Sequence, residues 1–137
     1  MPEPRRIFTS QTPLLSRYNG TGSDIAANLV VMDDATTTDG IKLPAGIDSM
    51  ILGATTRIIK AGEWGDIAAA PGSIIPLKNT GGVTKGDRLM PQTDGTVATW
   101  AASTGVNATV CGIAQETKAT TLVGECQLAA PGTSRQG

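Results

Sequence analysis

Short aliphatic and β-branched runs recur along this chain, separated by Gly, Pro, Asp and Asn, and none is long enough for a three-turn helix with an apolar stripe. The runs are Leu29 to Met32, Met50 to Thr55, Asp66 to Ala69, Ser73 to Lys78, Arg88 to Met90, Thr109 to Gln115 and Leu122 to Leu128. Their number and spacing predict an all-β fold, a small barrel or sandwich. Thr99 to Ser103 has room for one helical turn at most. The first 28 residues carry Pro2, Pro4 and Pro13 and keep neither period for long, so they read as an extended N-terminal arm.

Four anchors repeat within the body. Thr38-Asp39-Gly40 matches Thr93-Asp94-Gly95, and Leu52-Gly53-Ala54 matches Cys111-Gly112-Ile113. Gly65-Asp66-Ile67 matches Gly124-Glu125-Cys126, and Ala70-Pro71-Gly72 matches Ala130-Pro131-Gly132. Near-constant spacing predicts two similar β half-modules, about 29–72 and 85–132, within a body at 29–132 followed by a tail at 133–137. The Asp-Gly pairs supply the positive φ of tight turns. A hairpin centred between Lys118 and Ala119 sets Cys111 opposite Cys126, and the equivalent hairpin sets Leu52 opposite Ile67. Facing strands allow a disulfide, but the apolar equivalents favour two buried thiols acting as small hydrophobes.

Composition changes the picture in one respect. Of the 137 residues, 39% are hydrophobic but only 3% aromatic, so the core is built from small side chains and burial against partner subunits is a natural source of further stability. A net charge of -1 speaks against a nucleic acid or an anionic membrane as partner. The arginines near the N-terminus precede no apolar h-region, so a secretory signal is not expected there, and no run reaches transmembrane length.

Candidate chemistry is sparse. The absence of histidine removes the usual general base and the commonest metal ligand, and two cysteines do not make a four-ligand zinc site. Gly81 to Arg88 has the glycine spacing of a phosphate loop but lacks the Lys and Ser/Thr after the second glycine, so a turn is expected. Asp33, Asp34 and Asp39 lack calcium-loop spacing. The pairs Asp66 with Asp87 and Glu116 with Glu125 read as turn residues, not acid–base pairs. No catalytic residue, metal or cofactor is expected. The candidates are instead interface residues: Phe8, Leu14, Leu15 and Tyr18 as apolar anchors of the arm, Arg5, Arg6 and Arg17 as charge contacts, and Trp64 and Trp100 in or near equivalent loops.

Lys85-Gly86-Asp87-Arg88-Leu89-Met90, Asp94-Gly95-Thr96-Val97, Val110-Cys111-Gly112-Ile113-Ala114 and Gly124-Glu125-Cys126-Gln127-Leu128 follow one another as in the head decoration, or capsid cement, proteins of tailed bacteriophages. The chain resembles that family over about 29–132. The resemblance implies a β-barrel or β-tulip-like module on the outer surface of a mature head, assembled in the host cytoplasm. It implies the major capsid protein as partner, together with self-association as a homotrimer. Two other readings stay open: another virion β-protein such as a head fibre base or tail component, and a carrier-type or ligand-binding β-barrel, for which Lys118 at a hairpin tip is the candidate lysine.

Overall fold

A computed structural model describes residues 14–101, 107–129 and 134–136. Among them there are twelve strands and no helix. The sorting rule is visible in β6 (Ile74–Lys78), where Ile75 and Leu77 are buried while Ile74, Pro76 and Lys78 are exposed, the period of two that makes a strand half inside. β1 (Leu14–Tyr18), β2 (Val30–Asp34), β3 (Gly40–Lys42), β4 (Ile51–Thr55) and β5 (Trp64–Ala68) form a closed barrel in the order β1-β3-β2-β4-β5, with β1 parallel to β3 and antiparallel to β5. β6, β7 (Arg88–Pro91), β8 (Val97–Thr99), β10 (Gly112–Ala114) and β11 (Val123–Leu128) form a second sheet, ordered β6-β11-β10-β7-β8. An isolated parallel bridge between Asn79 and Val97 joins the two ends of that sheet, as β1 and β3 are joined in the first barrel. β9 (Asn107–Thr109) and β12 (Ser134–Gln136) make a separate antiparallel ribbon.

The two units share one pairing scheme. Ala54 faces Ala68 as Ile113 faces Gln127, an offset of 59 residues on both strands. Tyr18 faces Trp64 as Lys78 faces Val123, and Val31 faces Gly53 as Leu89 faces Gly112. The glycines explain why the repeat was legible. A Cβ on Gly53 would stand 2.3 Å from the Ala68 carbonyl oxygen and one on Gly112 2.7 Å from that of Gln127, so a side chain is excluded at the same place twice. A buried asparagine then ties down the long loop of each unit. Asn19 Nδ2 donates to the carbonyls of Ser23 and Ile59, both at 2.8 Å, and Asn79 Nδ2 donates to those of Ala119 and Leu122, both at 3.0 Å.

Two clusters of buried residues result. Ile25, Leu29, Val31, Ile41, Ile59 and Ile67 fill the first barrel, with Leu15, Leu43 and Leu52 packed against them. The other cluster fills the second barrel with Ile75, Leu77, Leu89, Val97, Cys111, Ala114, Cys126 and others, and it includes Val30, Ile51, Ala54 and Ala68, which come from the outer face of the first. The outside of one barrel is thus a wall of the other.

The structure corrects several expectations. The arm does not extend to residue 28: Leu14 to Tyr18 is a strand bonded along β5, and Ile25 is buried in the first barrel. The paired units cover 14–68 and 74–128, so the repeat begins earlier than 29 and 85. Arg5, Arg6 and Phe8 lie outside the described residues. Cys126 faces Ala114, and Cys111 meets Ala129, whose N–H donates to the Cys111 carbonyl at 3.0 Å; Ile67 likewise faces Thr55 and not Leu52. In both hairpins the register lies three residues from that of a symmetric turn, because the connections are loops bound by asparagine. Thr99 ends β8 instead of starting a helical turn, while residues 102–103 lie outside the described residues. Both cysteines are free and buried.

Gly53→Ala and Gly112→Ala should each destabilise the chain by about 1–3 kcal/mol, because a methyl group pressed on a strand carbonyl moves backbone, not a flexible side chain. Urea unfolding followed by far-ultraviolet circular dichroism checks this; unchanged midpoints would refute the close-approach account.

Candidate interaction surfaces

Residues directly opposite in antiparallel strands share a face, so register alone sets out what the first barrel shows to solvent on its β1–β5 ribbon. Tyr18 faces Trp64, Ser16 faces Asp66 and Leu14 faces Ala68. The Tyr18 and Trp64 rings meet at 5.6 Å between centroids, tilted by 51°. Trp64 is 57% and Leu14 50% exposed, so two large apolar side chains lie along one outer ribbon with a carboxylate between. The structure therefore brings three of the sequence candidates, Leu14, Tyr18 and Trp64, onto one surface.

The other candidates go elsewhere. Leu15 packs against the core of its own barrel. Arg17 alternates to the inner side with it, and its Nη1 donates to the Ser16 carbonyl at 3.0 Å; its Nε is buried with no hydrogen-bond partner among the described residues. Trp100 follows β8 on the second barrel, half-buried, with its indole N–H donating to the Ala108 carbonyl at 3.2 Å. Sequence reasoning missed Ile74, Ile113 and Val123, all exposed on the second barrel. The repeat held the signal, since Ile74 occupies the position of Leu14 and Val123 that of Trp64.

Titratable groups here serve the fold. Burial, together with the neighbouring Cys126 thiol, pushes Cys111 up to about 12; burial and the Glu116 carboxylate push Cys126 up to about 11. Neither is a poised nucleophile. The Thr96 hydroxyl, donating to Asp94 Oδ1 at 2.6 Å, holds that carboxyl below its ordinary value of 3.8, and Thr36 does the same for Asp34. Since the Thr96 hydroxyl proton goes to Asp94, the 2.6 Å contact between Thr80 and Thr96 hydroxyls has Thr80 as donor. Asp66 and Asp87 belong to different barrels, and Glu116 accepts the Glu125 backbone N–H at 2.7 Å, an ordinary loop contact. Lys118 does not project from a hairpin tip: its backbone N–H and carbonyl bridge to Val83, its stem lies over Gly124, and its ammonium is 3.6 Å from Glu116. A carrier lysine needs freedom that this one lacks.

Among solved structures, the head fiber gp8.5 N base of bacteriophage phi29 is similar, with a TM-score of 0.67 over 85% of this chain and 93% of that one, at 14% sequence identity. The two share a fold. No protein-family model matches the chain, and no curated protein does. At that identity the likeness shows the fold alone.

Two outcomes follow. Both thiols should resist a disulfide reagent at pH 8 in the folded chain and react in denaturant, since each is buried and protonated; rapid labelling of native protein would refute the packing role. Asp94, with its folded value lowered, stabilises the fold above its unfolded value and loses that contribution as pH falls through the folded one. Thr96→Val should raise the Asp94 value in a carboxyl NMR titration and flatten the fall of stability below about pH 4; an unmoved titration would show that the hydroxyl is not its cause.

Proposed function

We propose that this chain is a non-enzymatic structural protein of a tailed-phage head, and that it serves as the base of a head fibre. The observation that carries the reading is the fold itself: a two-barrel arrangement that spans nearly all of a phage head-fibre base. A base must hold a shell and carry a projection, and a rigid β body with exposed apolar ribbons suits both contacts. The cement reading drawn from the sequence agrees on the coarser statement, a phage-head structural protein, and differs in how the protein covers the shell. The partners under this proposal are the major capsid protein and further copies of this chain, and the location is the virion. The outward Leu14, Tyr18 and Trp64 of the first barrel are the side chains proposed to meet the shell.

Particles of the parent phage made without this chain, then incubated with the purified protein and labelled with a gold-conjugated antibody, provide the test. A fibre base should label discrete vertices or axes where projections stand; an even coat that raises the thermal stability of the shell would favour cement instead. Trp64→Ala with Leu14→Ser should cut occupancy on the order of tenfold or more while shifting the unfolding free energy by under about 0.5–1 kcal/mol, because the changed atoms are exposed in the free chain. Absence of any particle binding by the wild-type chain would defeat both readings.

A further inference from the structure

The internal interface of this molecule has a free copy at each end. Val30, Ala54 and Ala68 stand side by side on the outer face of the first barrel, with Leu14 next in the row, and the first three are buried in the core of the second barrel. The turn before β8 closes over them. Val30 N–H donates to the Gly95 carbonyl at 2.8 Å, and the Leu29 and Leu43 side chains lie 2.9 Å from where a Cβ on Gly95 would be. Register carries each position across. The row Val30, Ala54, Ala68, Leu14 becomes Arg88, Ile113, Gln127, Ile74 on the second barrel, bordered by Trp100, whose backbone N–H donates to the Arg88 carbonyl at 2.7 Å. Strand register sets Ile41 on Val97 and so Asp39, the last residue before β3, on Gly95, two residues before β8, which moves the Asp-Gly match of the sequence by one position; both have positive φ, +54° and +86°.

Both free copies are open. Ile74 is 47% and Ile113 39% exposed, and Arg88 and Asp39 are exposed. Among the described residues, the ion pair present joins Lys118 to Glu116 and involves neither Arg88 nor Asp39. Where the internal contact sets an apolar residue against a glycine, the free copies offer a cation on one surface and an anion on the other.

We propose that these two surfaces bind each other between copies of the chain: the outer face of the second barrel, Arg88, Ile113, Gln127 and Ile74, receives the turn ending at Asp39 from the first barrel of a second copy. The contact repeats the internal barrel–barrel interface, with Arg88 beside Asp39 in place of Val30 beside Gly95. It joins two different surfaces, so repetition closes a ring or runs into a filament according to the rotation between copies. The inference rests on the repeat and its register and is independent of the virion reading, since the isolated chain tests it.

Analytical ultracentrifugation of the full chain from about 10 μM to 1 mM should show concentration-dependent self-association that weakens with added salt. Arg88→Glu, and separately Asp39→Asn, should lower the association constant on the order of tenfold or more; Asn is chosen because it tolerates the left-handed backbone at that turn. Ile113→Asp, an exposed position, should do the same. An equimolar mixture of Arg88→Cys and Asp39→Cys chains under mild oxidation should give a disulfide-linked dimer in excess of either variant alone. A wild-type chain that stays monomeric throughout, association unaffected by Arg88→Glu and Ile113→Asp, or no cross-link beyond the single-variant controls would each overturn the proposal.

Discussion

Everything in this structure depends on the contact that buries the outside of one barrel in the inside of the other. Val30, Ile51, Ala54 and Ala68 belong to strands of the first barrel, yet they pack with Leu77, Leu89, Cys126 and Leu128 of the second. The second sheet closes on itself through little more than the Asn79–Val97 bridge. Its interior is completed by the neighbouring barrel, whose alanines at 54 and 68 let the two backbones approach. Two main-chain bonds fix the seam, Val30 N–H to the Gly95 carbonyl at 2.8 Å and Lys78 N–H to the Asn28 carbonyl at 2.9 Å, so these four backbone groups stay paired where the barrels approach. With hardly any aromatic residue available to either core, sharing a wall enlarges the apolar volume that each barrel can use.

How much of this could be read from the sequence follows from which constraints are local. The repeat was legible because Gly53 and Gly112 sit where a carbonyl forbids a Cβ, and Gly65 and Gly124 where a neighbouring Ile59 or Lys118 side chain does. Glycines required by backbone approach survive when other residues drift. Register was not legible, because the loops joining β4 to β5 and β10 to β11 are held by Asn19 and Asn79 from elsewhere in the chain. A hairpin counted symmetrically about its middle therefore slips. β1 looks like part of an arm in the sequence because Leu14-Leu15-Ser16-Arg17-Tyr18 breaks the alternation: Arg17 takes an inner position that Leu77 fills in the second barrel. Its guanidinium group turns a recognisable strand into text that resembles a loop.

The candidate surface was half legible for the same reason. Tyr18 and Trp64 stand out by composition alone, but their meeting across β1 and β5 needs the strand that the sequence hid. Trp100 stands out equally and spends its indole N–H on the Ala108 carbonyl, where it supports the approach to β9. Residues such as Ile74 and Ile113 carry no signal singly, since scattered exposed aliphatics are ordinary on any surface. They acquire meaning only when superposed on Leu14 and Ala54, positions whose surroundings are known within the same molecule.

Two barrels with one pairing scheme in a single chain show what covalent linkage permits. The linked contact forms once, within the chain, at an effective concentration set by the short connection from Ala68 to Ile74, and its side chains are buried in the folded chain. Apolar side chains and a glycine at the seam are stable there. The same faces at the two outer ends must coexist with solvent whenever the chain is alone, and uninterrupted apolar surface there would drive aggregation. Arg88, Gln127 and Asp39 in place of Val30, Ala68 and Gly95 answer that constraint, while Ile113 and Ile74 keep part of the apolar area. Obligate and reversible interfaces differ in this way across proteins generally, the first resembling a core cut in half and the second more polar and charged. Here both chemistries occupy one geometry in a single chain, so the difference between them reflects what each face must withstand before it is covered, and not the shape of the contact.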